Sequence, residues 1–172
     1  EFGDNRTTKS NMFVGAKSYQ VTGSTTSNTI TFSSINTSGY FNNELNFRIG
    51  AYATTALEGM ETADKVIVSI SIDNGTTWSD QIAITGFNNA ISDIVTSTGS
   101  EQVVVYDGSL LEGKRFGMSE NSTNTFSNSF RLTNLPSSSQ LRVRFTINAD
   151  KASEKWALDD VVLYGQLPQL AI

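Results

Sequence analysis

Two adjacent aspartates, Asp159 and Asp160, interrupt the otherwise apolar run Trp156-Ala157-Leu158-Asp159-Asp160-Val161-Val162-Leu163-Tyr164. Side chains of a strand alternate between its faces, so Asp159 goes with Ala157, Val161 and Leu163, and Asp160 with Leu158 and Val162. Whichever face turns inward, a carboxylate lies among apolar neighbours. Left unpaired there it would destabilise the fold by several kcal/mol. Calcium, which gathers carboxylate and carbonyl oxygens, would meet the need, and so would a set of backbone N–H donors. The pair cannot act as the two facing carboxylates of a glycosidase, because neighbouring strand residues point to opposite faces.

The second constellation is basic and planar. Asn46, Arg48 and Tyr52 alternate with apolar residues, and so do Arg142, Arg144 and Asn148. Ser69 and Ser71 stand in a third such row, and Arg131 between Phe130 and Leu132 can extend the set. If these strands are neighbours, the rows make a patch of Arg, Tyr, Asn and Ser on one pleated surface. Arginine adds bidentate recognition of carboxylate or sulfate. Arginines on exposed strands also serve solubility and pair with acids across strands, a reading that stays open. Tyr52 with Arg48 or Arg144 could imitate the base and neutralising groups of a polysaccharide lyase, without the histidine that often accompanies them. The chain has no His and no Cys, which removes Ser-His-Asp and Cys-His nucleophiles, zinc-histidine sites, thiolate metal sites and disulfides. No acid–base constellation stands out, and the expectation is a binding protein rather than an enzyme.

Strands must position these groups. Thr29–Ile35, Glu44–Ala53, Asp64–Ile72 and Gln140–Ala149 alternate apolar and polar residues with a period of two. Shorter candidates are Ser18–Val21, Thr77–Thr85, Gln102–Tyr106, Ser129–Thr133 and Lys155–Tyr164. About nine strands without an amphipathic helix predict an all-β fold, a two-sheet antiparallel β-sandwich of the jelly-roll type. The connections Gly86–Ser100, Asp107–Asn128 and Asn134–Ser139 are rich in Gly, Ser, Asn and Thr. The second is long enough to carry function as a loop, or else it holds a short strand near Lys114–Met118. Trp78, Tyr40, Phe41, Phe87 and Tyr106 fall near strand ends or loops and offer a competing loop-edge site. Ser71-Ile72-Asp73-Asn74-Gly75-Thr76-Thr77-Trp78 matches the Asp-box pattern S-x-D-x-G-x-T-W, which describes a β-hairpin. Asp73 accepts turn N–H bonds there, Asn74-Gly75 supplies positive φ angles, and Trp78 folds back over the turn. A single copy excludes a propeller built of such repeats, so a structural hairpin is expected.

Composition limits the partners. The 172 residues suit one domain; charged residues are 17% of them and the net charge is −5. An acidic chain without a basic face is not expected to bind nucleic acid. No segment approaches the roughly 20 consecutive apolar residues of a membrane helix. Glu1–Asp4 has neither the basic nor the apolar region of a signal peptide, and the ends are those expected of a module taken from a larger chain.

The ending Trp156–Tyr164 resembles the last strand of jelly-roll carbohydrate-binding modules and of related extracellular sandwich domains such as the MAM domain. Leu45–Gly50 and Lys65–Trp78 are similar to sandwich modules of secreted bacterial polysaccharide-active proteins. The resemblance implies a structural calcium held by Asp159, with Asp160 as substitute and Glu1 or Asp4 as amino-terminal partner. It also implies a monomeric, secreted or cell-surface module that binds a polysaccharide, sulfated or uronic given the arginines. Residues 1–165 would form the module and 166–172 the start of a linker. A protein-interaction or adhesion module of a bacterial surface protein is the alternative.

Overall fold

A computed structural model describes residues 18–23, 27–53, 58–87, 101–109, 114–117 and 129–169. Alternation turns into strands where expected. The ten are β1 (Tyr19–Thr22), β2 (Asn28–Thr31), β3 (Phe41–Ala53), β4 (Lys65–Ser71), β5 (Ser79–Thr85), β6 (Gln102–Val105), β7 (Lys114–Gly117), β8 (Ser129–Leu135), β9 (Arg142–Asn148) and β10 (Glu154–Gln166). They form two five-stranded sheets, β1-β10-β3-β8-β6 and β2-β9-β4-β5-β7.

Four antiparallel pairings define the winding: β1 with β10, β2 with β9, β3 with β8, and β4 with β5. Each later strand returns along an earlier one while the chain steps between sheets, which is the jelly-roll sandwich the sequence predicts. The long connection between β5 and β8 adds one strand to each sheet. β7 lies parallel to β5 and β6 parallel to β8, so two edges of an otherwise antiparallel fold are parallel. β7 is the short strand foreseen near Lys114 as one of two readings. β2 ends four residues before the expected Ile35, although Phe32 N–H still donates to Val143 O (3.0 Å) and Ile35 bridges Leu141.

The core lies between the sheets. Phe47 on β3 stacks on its cross-strand partner Phe130 at 5.2 Å between ring centroids. Phe145 of the facing sheet meets Phe47 edge-on at 5.1 Å. Trp156 is fully buried, and its indole N–H donates to Asn148 O (2.8 Å), so the one polar group of the largest core side chain is satisfied across the sandwich.

Candidate functional site

The Asp box folds as its chemistry requires. Asn74 and Gly75 take positive φ angles of 60° and 90°. Asp73 accepts the Thr77 N–H (2.9 Å to Oδ1) and the Thr77 hydroxyl (2.6 Å to Oδ2). Ser71 Oγ donates to Asp73 Oδ1 (2.7 Å) and accepts from Gly75 N–H (2.8 Å). These bonds, with the Thr77 hydroxyl foremost, hold the Asp73 carboxyl down at about 2. Trp78 Nε1–H donates to Gly75 O (3.0 Å), which lays the indole back over the turn. The Arg144 guanidinium lies 4.1 Å above that ring.

The arginine rows do not form one surface. β3 belongs to one sheet, and β4 and β9 to the other, so Asn46, Arg48 and Tyr52 face away from Arg142, Arg144 and Asn148. A core about 10 Å thick separates the two sets. On the β3 side, Arg48 Nε pairs with Asp160 (3.1 Å). Arg131 pairs with Glu101 (3.0 Å) and Glu44 (3.8 Å). Tyr52, expected as a stacking platform, is only 3% exposed, and its hydroxyl donates to Gln20. On the β9 side, Arg142 is a clamp whose Nε donates to Phe32 O (3.1 Å) and whose Nη1 donates to Asn74 O (3.2 Å). Arg144 instead lies in a cross-strand row with Thr31, Ser69 and Asp80. The Ser69 hydroxyl donates to Asp80 Oδ1 (2.6 Å). Thr29 and Thr146 line the next row, and Asn148 Oδ1 is buried without a hydrogen-bond partner.

The carboxylates of β10 need a correction. The expectation of a buried Asp159 or Asp160 rests on unbroken alternation, and a β-bulge between Asp159 and Val162 breaks it. Trp156 and Leu158 face the core before the bulge, and Val161 and Leu163 pack against it afterwards. Asp160 takes φ 48°, is exposed and pairs with Arg48. Asp159 is half-buried and accepts the Asp160 N–H (2.9 Å). Both border a cleft of about 450 Å³ between the edges of the two sheets, with Tyr19, Ile30, Phe32 and Leu158. Among the described residues neither belongs to a cluster of acids, and Glu1 and Asp4 lie outside them.

A cluster of acids stands at another place. Lys65 at the start of β4 pairs with Asn148 at the end of β9, so the connections before β4 and after β9 meet at one end of the sandwich. They bring Glu61, Asp64, Asp150 and Glu154 together, with one oxygen of each within 4.8 Å of all the others. These four could hold a metal ion. Asp64 and Glu154 are 0% exposed. Asp64 accepts backbone N–H bonds from Glu61 (2.7 Å) and Asp150 (3.0 Å), and Glu154 Oε2 accepts from Lys151 N–H (2.8 Å). Glu154 Oε1 is buried with no hydrogen bond; the nearest described cation, Lys151 Nζ, is 3.7 Å from it and 2.6 Å from Glu61 Oε1. Desolvation raises both buried carboxyls above their ordinary values, and the neighbouring acids add to it.

Glycine allows this packing. A Cβ on Gly23 would stand 1.8 Å from Lys151 O, and one on Gly86 would stand 2.2 Å from Glu61 O. Sequence reasoning passed over the four acids because Glu61, Asp64 and Asp150 sit in connections beside strands and Glu154 at the first position of β10. Their spacing, Glu61/Asp64 before one strand and Asp150/Glu154 after another, becomes a signal only once β4 and β9 are paired. No family model matches this chain, and no curated protein matches it.

Proposed function

We propose that this domain is a non-catalytic carbohydrate-binding module that carries a secreted protein to a polysaccharide. The observation that carries the reading is the outer face of β2, β9, β4 and β5. There the Arg144 guanidinium lies 4.1 Å over the Trp78 ring, with Thr31 and Asp80 in the same row and Thr29 and Thr146 beside it. Hydroxyls, a carboxylate and a guanidinium on a rigid pleated sheet are the donors and acceptors that sugar hydroxyls need. Their rigidity limits the ordering entropy that binding must overcome.

Calcium is the ion proposed for Glu61, Asp64, Asp150 and Glu154. All-oxygen, anionic donor sets suit hard cations, and calcium, unlike magnesium, accepts irregular coordination. Glu154 Oε1, buried with no hydrogen bond, supports an additional ligand at that point. The ion would be structural, tying the connection before β4 to the one after β9.

Affinity electrophoresis of the domain through gels containing neutral, uronic or sulfated polysaccharides tests the function. Retardation by one class without shortening of the polymer is expected. A domain retarded by none is no glycan binder, and the protein-interaction reading then takes its place. That reading draws on Val103 and Val105 of the edge strand β6 and on Val162 and Tyr164 of β10, all exposed on the opposite sheet.

A further inference from the structure

The two outer faces treat their arginines in opposite ways. Arg48 and Arg131 on the β3 sheet are each neutralised by at least one carboxylate at 3.0–3.1 Å. On the β9 sheet, no carboxylate oxygen of the described residues comes within ion-pair distance, 4.0 Å, of Arg142 or Arg144. Arg142 uses its donors on two backbone carbonyls. Arg144 does not: of its five N–H donors, one reaches Ser69 Oγ at a long 3.5 Å, and Nε is buried with no acceptor. Asp80 shares the row but takes up the Ser69 hydroxyl.

This arrangement runs against the chain as a whole. A protein of net charge −5 has acids to spare, and it has used them on Arg48 and Arg131. Trp78 meanwhile packs against the Arg144 guanidinium without offering it a hydrogen-bond acceptor, since indole N–H is a donor and is already bound to Gly75 O. A planar guanidinium packed on a ring, its Nη donors meeting no described carboxylate, matches a carboxylate or a sulfate ester, each of which presents two oxygens side by side. The ring is half-buried beneath the arginine and is not a free platform for a neutral pyranose.

We infer that Arg144, backed by Trp78, is the subsite for an anionic substituent, a uronate carboxylate or a sulfate ester, of the bound glycan. The inference rests on the glycan-binding reading above and names the ligand class of that same face.

The test is affinity electrophoresis of the intact domain in dextran, dextran sulfate and polygalacturonate. It compares the parent with Arg144→Ala, Arg144→Lys and Arg48→Ala, and thermal melts confirm that each variant is folded. Dextran and dextran sulfate share a backbone and differ in charge, and polygalacturonate separates carboxylate from sulfate. Retardation by at least one anionic polymer and not by dextran is expected. Arg144→Ala should weaken it by about tenfold or more, the effect of losing a charge-assisted bidentate contact. Arg144→Lys, which keeps charge and stem but loses the fork, should fall between, and Arg48→Ala should match the parent. Retardation by dextran that the Arg144 variants leave intact would overturn the anionic subsite while the glycan reading survives. Retardation by an anionic polymer that neither Arg144 variant weakens, or that Arg48→Ala weakens instead, overturns it as well. Passage of the parent through all three gels and through the wider neutral panel defeats both.

Discussion

Replacing Glu154 by glutamine should move the melting temperature in opposite directions with and without calcium. In the metal-free domain Glu154 lies within 4.8 Å of Glu61, Asp64 and Asp150, opposed by Lys151 Nζ at 3.7 Å. Two like unit charges at that limiting separation repel by about 3.5 kcal/mol at an effective dielectric constant of about 20. Protonation caps the penalty. Near pH 7, giving a proton to a carboxyl whose ordinary value is 4.5 costs about 3.4 kcal/mol, at about 1.4 kcal/mol per pH unit. Glutamine carries no such burden and still accepts the Lys151 N–H, but it loses the attraction of the Lys151 ammonium. Metal-free Glu154→Gln should therefore be the more stable by about 1–3 kcal/mol, a rise of roughly 2–12 °C for a chain of this length. Calcium at about 100 times its dissociation constant stabilises the parent by about 2.7 kcal/mol, roughly 5–10 °C. The variant, short of one anionic ligand, should lose most of that gain. Thermal unfolding followed by circular dichroism, each protein with chelator and with excess calcium, measures all four values. A parent that melts alike in both, or a variant that melts below it in chelator, refutes the account.

Three other outcomes are expected. Ser71→Ala removes the acceptor of the Gly75 N–H and the donor to Asp73, and should lower stability by about 1–2 kcal/mol in chemical denaturation; an unchanged midpoint would show that the Asp-box turn does not depend on it. Gly23→Ala forces Lys151 O away from the new Cβ and should destabilise by at least about 1–3 kcal/mol while weakening the response to calcium, since Lys151 and Glu154 share that turn; a folded variant with the parent's calcium response would contradict it. Stability without metal should fall on both sides of mildly acidic pH. Asp64 and Glu154, raised by desolvation, contribute fully below the ordinary carboxylate range and lose that contribution as pH rises through their raised values. Asp73, lowered to about 2 chiefly by the Thr77 hydroxyl, contributes above its ordinary 3.8 and loses it as pH falls towards 2. Melting temperatures in chelator that keep climbing from mildly acidic to neutral pH would contradict the first half, and calcium should flatten that limb.

The strands, the all-β class and the Asp-box turn were legible in the chain because their causes are local. Period-two alternation in Leu45-Asn46-Phe47-Arg48-Ile49 or Val143-Arg144-Phe145-Thr146-Ile147 separates a buried face from an outer one without knowledge of any partner. Ser71 to Trp78 fold on one another across a few residues. Everything that depends on which strands are neighbours required the tertiary structure. Sequence placed Arg48 and Arg144 each on an outer face; only the assignment of β3 and β9 to different sheets put them on opposite sides, one neutralised and one not. Alternation predicted a buried carboxylate at Asp159 or Asp160, but a bulge inserts one residue and reverses the inside and outside of the rest of the strand, leaving Asp159 half-buried and Asp160 exposed. The acids that do come together, Glu61 and Asp64 with Asp150 and Glu154, are some 90 positions apart along the chain. Their meeting follows from the register of β4 on β9, which is fixed by packing two apolar faces against each other and leaves no mark at the acids themselves.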